Sequence, residues 1–234
     1  MGLFGGPNVE KLAAKRDVKG LAKALTNSDS DVRDDAARVL AEINGPEAVH
    51  AIAERLDGQQ DEAVIESGSG ALRAMGEGAA APLLKGLLES PDEKKPLYGA
   101  LLGRLGAHGL APLLDASHDD NAAVRGTAAF GLALIDDPQA PNRIIEIFQT
   151  DKDMDARGLA AMALGSKKLP GAYETFIAAL DGDDALGRAL SATCLGMLGD
   201  VGAVPRLTQT ADLDDDERVR DSARSSLADL QKSA

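Results

Sequence analysis

The chain has 234 residues, 44% of them hydrophobic and only 3% aromatic, and its single cysteine excludes a disulfide within the chain. Its formal net charge of −13 disfavours general nucleic-acid binding, because an acidic surface repels phosphates. No apolar run approaches the roughly 20 residues that a membrane span needs, and the N-terminal MGLFGGPN is too short and uncharged for a signal peptide, so we expect a cytoplasmic protein.

The first predicted element is a short helix in the segment PNVEKLAAKR, which we interpret as an N-terminal capping helix with Val9 and Leu12 turned inward. Residues 1–7 in front of it are interpreted as a flexible leader. A single domain is predicted over residues 8–230, and residues 231–234 are expected to be a frayed C-terminus.

The rest of the chain is a sevenfold repeat. Two distant segments share one pattern, in which an acid, an apolar residue and Arg are followed by small residues and Leu. The segments are SDVRDDAARVLAEI near the N-terminus and DDERVRDSARSSLADL near the C-terminus. The late Leu recurs every 30 to 32 residues and serves here as the reference position of each repeat: Leu40, Leu72, Leu102, Leu132, Leu164, Leu195 and Leu227. A period of about 31 residues is typical of stacked repeat arrays.

Each repeat is predicted to be a hairpin of two helices, as residues 108–135 illustrate. Pro112 fits the first turn of a first helix, and Asn121 can cap the second helix through its side-chain oxygen. The second helix places its apolar residues on one face at helical spacing: Val124, Ala128, Ala129, Leu132 and Ile135. Several second helices are followed, four residues after the reference Leu, by a glycine predicted to be left-handed: Gly76, Gly106 and Gly199.

A hairpin of about 31 residues cannot bury both apolar faces alone, so we expect the seven hairpins to stack into one continuous core. The last repeat has polar residues, Arg224 and Ser226, at positions that are apolar or small in the others. We interpret this change as the polar face of a terminal repeat.

The segment AVPRLTQTADLDDDERVRDSARSSLADL, residues 203–230, resembles the HEAT-like repeat of the phycobilin-lyase (PBS-lyase) type. The resemblance extends over about residues 8–230. It implies an all-α fold, a right-handed α-solenoid (HEAT-like superhelix) of about seven two-helix repeats. In this architecture the first helices lie outside and the second helices line a concave face.

An Asp or Asn followed four residues later by Arg recurs at the start of five second helices: Asp29/Arg33, Asn121/Arg125, Asp153/Arg157, Asp184/Arg188 and Asp216/Arg220. A row of arginines could hold an anionic ligand. The structural interpretation is favoured, in which the acid caps its helix and Arg pairs with it or with an acid of the neighbouring repeat. Ile65 and Pro91 break this pattern, so we expect an interruption in repeats two and three.

The sequence offers no candidate catalytic, cofactor-binding or metal-binding residues. His50, His108 and His118 lie in different repeats, and none forms the His–Glu pair that HEAT-like deoxyhypusine hydroxylases use for iron. Cys194 has no basic neighbour in sequence and is expected to be a buried structural thiol. We therefore expect no cofactor, no metal and no enzymatic activity.

A partner-binding groove is predicted on the second helices of repeats three to six. Positions two and five residues before the reference Leu are polar or small in repeats one, two and seven. In the four middle repeats they carry almost no charge: Leu97, Ala100, Thr127, Phe130, Leu159, Met162, Leu190 and Thr193. A contiguous exposed apolar surface marks an interaction site. The alternative is that tight curvature buries these side chains against the next repeat.

These observations predict a non-catalytic scaffold or adaptor that binds a peptide or partner helix on the concave face. The alternative function is a subunit or chaperone-like component of a lyase or cofactor-attachment enzyme, because the phycobilin-lyase family shares this repeat. The expected partner is another protein or peptide, with no nucleic acid. The oligomeric state stays open, with a monomer favoured.

Overall fold

A computed structural model describes residues 8–233, and within this range the chain is helical, with no β-strand. The N-terminal half contains α1 Val9–Ala14, α2 Val18–Ala24, α3 Ser30–Ile43, α4 Pro46–Leu56, α5 Glu62–Met75, α6 Glu77–Glu89, α7 Lys95–Arg104 and α8 Ala107–Ala116. The C-terminal half contains α9 Ala122–Leu132, α10 Gln139–Thr150, α11 Met154–Ser166, α12 Ala172–Ala179, α13 Ala185–Leu198, α14 Val204–Leu213 and α15 Glu217–Ser233. Short 3-10 helices, Asp92–Lys94 and Val201–Ala203, precede α7 and α14.

The order of these helices confirms the predicted fold class, an α-solenoid of HEAT-like repeats with an N-terminal capping helix. Within residues 8–233, α1 is followed by seven first helices with even numbers and seven second helices with odd numbers. Val9 and Leu12 of α1 are half-buried, and Leu12 packs against Gly20 of α2. The predicted leader, residues 1–7, and the last residue, 234, lie outside the described residues.

The chain divides into two compact units between Ala116 and Ser117, inside the fourth predicted hairpin. In the N-terminal unit the first helices α2, α4, α6 and α8 pack in order, and α3 packs against α5. In the C-terminal unit α9, α11, α13 and α15 pack in order, with α10, α12 and α14 each against the second helix of its own repeat. The single domain predicted over 8–230 stays a prediction.

Second helices begin where their sequence provides a side-chain cap. The Asn121 Oδ1 accepts a hydrogen bond from the Ala123 N–H at 2.9 Å, and Asp29, Asp61, Asp153, Asp184 and Asp216 bond in the same way to the residue two positions on. Helix α7, which follows Pro91 and a 3-10 turn, has no such cap. The predicted interruption in the third repeat is confirmed at this helix.

The reference leucines form the core. The first six, Leu40 to Leu195, are at most 1% exposed. Leu227 is half-buried, because no helix within residues 8–233 follows α15 to cover it. Phe148 and Phe176 meet edge to face in the C-terminal unit, with ring centroids 5.4 Å apart.

Two local predictions were wrong in detail. Pro112 is the sixth residue of α8 and not part of its first turn, because the chain turns at Gly106 and the helix begins at Ala107. Gly76 has a positive φ of 57°, as do Gly106 and Gly199 with 62° and 75°, but its ψ of −126° lies outside the left-handed helical region.

The prediction of a polar terminal face was wrong at Ser226, which is only 4% exposed. Its side chain packs against Gly196 of α13, where a Cβ atom would lie 2.5 Å from the Ser226 Oγ. A small residue is needed here because α13 and α15 approach closely. Arg224 is exposed, as predicted.

Candidate functional site

The predicted groove residues lie on second helices in both units. Leu97 and Ala100 belong to α7 of the N-terminal unit and are half-buried. The other six belong to α9, α11 and α13, which pack side by side in the C-terminal unit. The site is therefore described on the C-terminal unit by itself.

Large apolar side chains are exposed on neighbouring helices of this unit. Phe130 of α9 is 36% exposed and Met162 of α11 is 49% exposed, and both lie two residues before the reference Leu. Thr193, at the same position of α13, is also exposed. These three side chains are thus exposed at the position where the repeat register predicts a surface.

The position five residues before the reference Leu is more covered than the prediction assumed. Leu159 and Leu190 are half-buried, and Thr127 is only 6% exposed. Gly126 shows the reason, because a Cβ atom built there would lie 2.7 Å from the Leu159 Cδ1. Leu159 thus packs onto the α9 backbone, and Thr127 contributes to the interior instead of an open surface.

On the next second helix, α11, the surface formed by the second helices is open. Gly158 of α11 has no atom within 4 Å of a built Cβ atom, although it occupies the position that Gly126 has in α9. Phe130, Met162 and the half-buried Gly158, which has open space above it, therefore form an uneven apolar surface, which we call the second-helix face.

Sequence reasoning missed two methionines in this unit. Met197, two residues after Leu195 on α13, is 39% exposed, and Met154 at the start of α11 is 64% exposed. Met197 lies four residues after Thr193, so the two side chains share a helix face. Helical spacing from the predicted Leu190 and Thr193 could have found Met197.

A ladder of arginines ties the second helices α9, α11 and α13 to the next repeat. Arg125 Nη1 donates to the carbonyls of Asp119 and Asp120, while its Nε and Nη2 donate to the Asp151 carboxylate, both at 2.7 Å. Arg188 repeats this arrangement with Asp214 at 2.8 and 3.0 Å. Arg157 pairs with Asp184.

The predicted pairing with an acid of the neighbouring repeat is confirmed for Arg125, Arg157 and Arg188. Arg33 and Arg220 instead donate to backbone carbonyls. The partners Asp151 and Asp214, which sequence reasoning missed, stand 26 residues after their arginines and two before the next cap. The hydrogen bond from Arg125 lowers the pKa of Asp151, and the one from Arg188 lowers the pKa of Asp214. Because these arginines are occupied, the ladder is not an open anion site.

The two repeats that lack the ladder arginine, repeats two and three, differ from each other. At the Arg register of repeat two, Ile65 makes no ion pair. In repeat three, Lys95 is only 2% exposed, and its Nζ donates to the carbonyls of Leu87, Leu88 and Ser90. Lys95 thus closes the C-terminus of α6, where a positive charge is favourable.

A family model for HEAT repeats matches residues 18–102, 110–189 and 141–228, which is most of the chain. The chain belongs to the HEAT repeat family. The complex of CpcE and CpcF of phycocyanin lyase from Nostoc sp. PCC7120 is similar over 63% of this chain and 97% of that chain, with a TM-score of 0.52 and 23% identity.

Two further structures are similar over nearly the whole chain. Human deoxyhypusine hydroxylase in complex with glycerol is 19% identical over 96% of this chain and 88% of that chain, with a TM-score of 0.46. The Kap95:Nup1 complex is 16% identical over 97% of this chain and 37% of that chain, with a TM-score of 0.48. No curated protein matches the sequence.

The likeness to phycocyanin lyase confirms the predicted resemblance to phycobilin-lyase HEAT-like repeats as a likeness of fold. An interaction scaffold is a common use of HEAT repeats, but fold alone does not decide activity. The function must therefore be argued from the surfaces of this chain.

The HEAT repeat helices of residues 8–233 bring together no group of three or more side chains that could hold a metal ion. Cys194 is buried, as predicted, and its Sγ donates to the Ala161 carbonyl at 3.4 Å. Burial raises the pKa of the Cys194 thiol to about 12. In the same part of the chain, no helix combines the length and the apolar character needed to cross a membrane.

Proposed function

We propose that this chain is a non-catalytic scaffold or adaptor that binds a peptide or partner helix on its second-helix face. The observation that carries the proposal is the exposure of Phe130 and Met162 on two helices that pack together. Aromatic and methionine side chains anchor protein interfaces, because they bury much apolar area and adapt to the partner.

Other features of the second-helix face support a protein partner. Met197 extends the exposed apolar row onto α13, and Gly158 leaves room for an inserted side chain. An amphipathic helix presents apolar side chains at such spacing when it lies in a groove. The non-catalytic role is further supported by Cys194, whose raised thiol pKa disfavours the reactive thiolate.

The test replaces Phe130 and Met162 together by Asp and compares partner capture by affinity purification and quantitative mass spectrometry. Two buried charges in the interface should reduce capture by at least about tenfold, since an interface anchor contributes roughly 2 kcal/mol or more. The matched control replaces Val201 and Leu213, which are 60% and 75% exposed in the same unit, by Asp.

The control adds the same charge outside the second-helix face, so its capture should equal that of the unchanged chain. Circular dichroism checks that all variants keep their helices. If the Phe130/Met162 variant captures as much partner as the control variant does, the proposal is wrong.

The alternative, a component of a lyase or cofactor-attachment enzyme, stays a prediction. The likeness to phycocyanin lyase is one of fold, and no residue of this chain is assigned a role in attachment. An absorbance titration of the purified chain with a bilin distinguishes the two functions, because a scaffold alone leaves the bilin spectrum unchanged. The cytoplasmic location also stays a prediction.

A further inference from the structure

A cleft of about 770 Å³ opens between α4 and α6 in the N-terminal unit, on the side of the first helices. Its apolar part is formed by Val49, Ala81, Pro82 and the ring of Tyr98. None of these residues belongs to the second-helix face, so the inference below is independent of the proposed function.

Small residues on α6 create this cleft. The ring of Tyr98, which comes from α7, lies on Gly86, where a built Cβ atom would be 2.2 Å from the Tyr98 Cε1. Gly78 is in the same way covered by Asn44, whose Oδ1 would lie 2.2 Å from a Cβ atom. Ala81 lies between these glycines, so α6 has only small residues at this place, and its side chains do not interlock with those of α4.

Two polar groups in the cleft lack protein partners. The Ser90 Oγ is buried and has no hydrogen-bond partner among residues 8–233. Tyr98 is only 9% exposed, and its hydroxyl makes no hydrogen bond with any residue of that range. Buried polar groups are normally satisfied, so the unsatisfied Ser90 Oγ, in a cleft that the unbonded Tyr98 hydroxyl also lines, indicates a missing partner.

Ser90 is held in place by its backbone. Its N–H donates to the Gly86 carbonyl at 3.1 Å, and its carbonyl accepts from the Lys95 Nζ at 2.7 Å. Only the hydroxyl is left without a bond. The Oγ is buried, so a rotation of the Ser90 side chain, without a rearrangement of the backbone, is needed for it to bind a polar group in the cleft.

The rim of the cleft selects against anions. Lys85 pairs with Glu89 at 3.8 Å, and His50 pairs with Glu54 at 3.3 Å, whereas Glu77 adds a further negative charge. Pro82 and the exposed part of the Tyr98 ring give the cleft an apolar wall that an aromatic ring can contact. The volume lies within the range of about 300–1,000 Å³ that is typical of small-molecule sites.

We propose that the cleft between α4 and α6 binds a neutral, flat aromatic small molecule with a hydroxyl or carbonyl group at one end. The ring lies against Tyr98, Pro82 and Ala81. The polar end exchanges hydrogen bonds with the Ser90 Oγ and the Tyr98 hydroxyl.

The test uses 2-naphthol and naphthalene, the same ring system with and without a polar end, as probes of the full chain. Binding is measured by saturation-transfer NMR and by titration of ¹H–¹⁵N spectra. We expect saturable binding of 2-naphthol, with the amide shifts centred on α4 and α6. No saturable binding up to the solubility limit of 2-naphthol would overturn the proposal.

Two matched substitutions test the location. Ala81→Phe fills the cleft and should weaken 2-naphthol binding by at least about tenfold, a loss of about 1.4 kcal/mol. Ala111→Phe is the control, because Ala111 precedes Pro112 in α8 as Ala81 precedes Pro82 in α6. Equal affinity of the two variants for 2-naphthol would contradict the assigned location.

Two conservative substitutions test the polar end and do not depend on filling the cleft. Tyr98→Phe and Ser90→Ala should each weaken 2-naphthol binding by about fivefold, the value of one neutral hydrogen bond, and leave naphthalene binding unchanged. An equal loss of both probes would mean that the ring packing has been disturbed, and it would refute the hydrogen-bonding role.

Discussion

Arg33 differs from Arg125 and Arg188 by a single missing carboxylate. Its Nη1 donates to the carbonyls of Asn27 and Ser28, as in the later repeats, but its Nε is buried without a hydrogen-bond partner among residues 8–233. The residue 26 positions later, where Arg125 and Arg188 find Asp, is Gln59.

Replacing Gln59 by Asp should complete the ladder at this repeat. The new carboxylate would reach the Arg33 Nε and still accept the Asp61 N–H, as the Gln59 Oε1 does at 3.0 Å. A charge-assisted hydrogen bond should raise the free energy of unfolding by about 1–2 kcal/mol, measured by urea denaturation.

Gln60→Asp is the matched control, because the adjacent Gln60 is exposed and adds the same charge outside the ladder position. It should change stability by less than about 0.5 kcal/mol. If both substitutions have the same effect, the missing partner of Arg33 does not limit stability.

At the scale of the helices, glycines distinguish close contacts from open surface. A Cβ atom on Gly109 of α8 would lie 1.9 Å from the Leu102 carbonyl oxygen, and that oxygen belongs to the α7 backbone and cannot rotate away. Gly158 of α11, in contrast, has no atom within 4 Å of a built Cβ. The same substitution should therefore have opposite effects at the two positions.

Gly158→Ala should stabilise the chain by about 0.5–1 kcal/mol, because Ala loses less backbone entropy in a helix. Gly109→Ala should destabilise it by about 1–3 kcal/mol, the cost of forcing a methyl group into a filled space. Thermal and urea unfolding of the two variants measure both signs. A stabilised Gly109→Ala variant would show that α7 and α8 do not pack this closely.

The helix ends and the helix faces were predictable to different degrees. Asn121 was predicted to cap α9 because a cap depends on residues two or three positions apart. Thr127 was assigned to the open surface and is buried; it follows Gly126, onto which Leu159 of the neighbouring helix α11 packs. Local interactions were therefore easier to predict than contacts between repeats.

At the scale of the whole molecule, the net charge of −13 means that repulsion between acids opposes the stabilisation that ion pairs give. The acids concentrate in the loops between first and second helices, where Arg125 and Arg188 neutralise some of them. These two pairs are almost fully buried, so salt screens them less than it screens exposed acids such as Asp120 and Asp183.

Added salt should therefore stabilise the chain. Raising NaCl from about 0.01 to 0.3 M shortens the Debye length from about 30 Å to below 10 Å, which weakens repulsion between exposed acids more than the buried pairs. We expect the Tm to rise over this range in calorimetry, and KCl serves as the control for ion-specific effects. A falling Tm would show that exposed ion pairs outweigh the repulsion.

The amino-acid sequence by itself determined the sevenfold repeat, the helical hairpins, most caps and the leucine core. These features follow from spacings within one repeat, so Leu132 and Asn121 could be assigned without any neighbour. Only the tertiary structure decided that Phe130 stays exposed while Thr127 does not, and that Tyr98 lies on Gly86 beside an open cleft. These outcomes depend on how closely helices from different repeats approach, a distance that no spacing along the chain encodes.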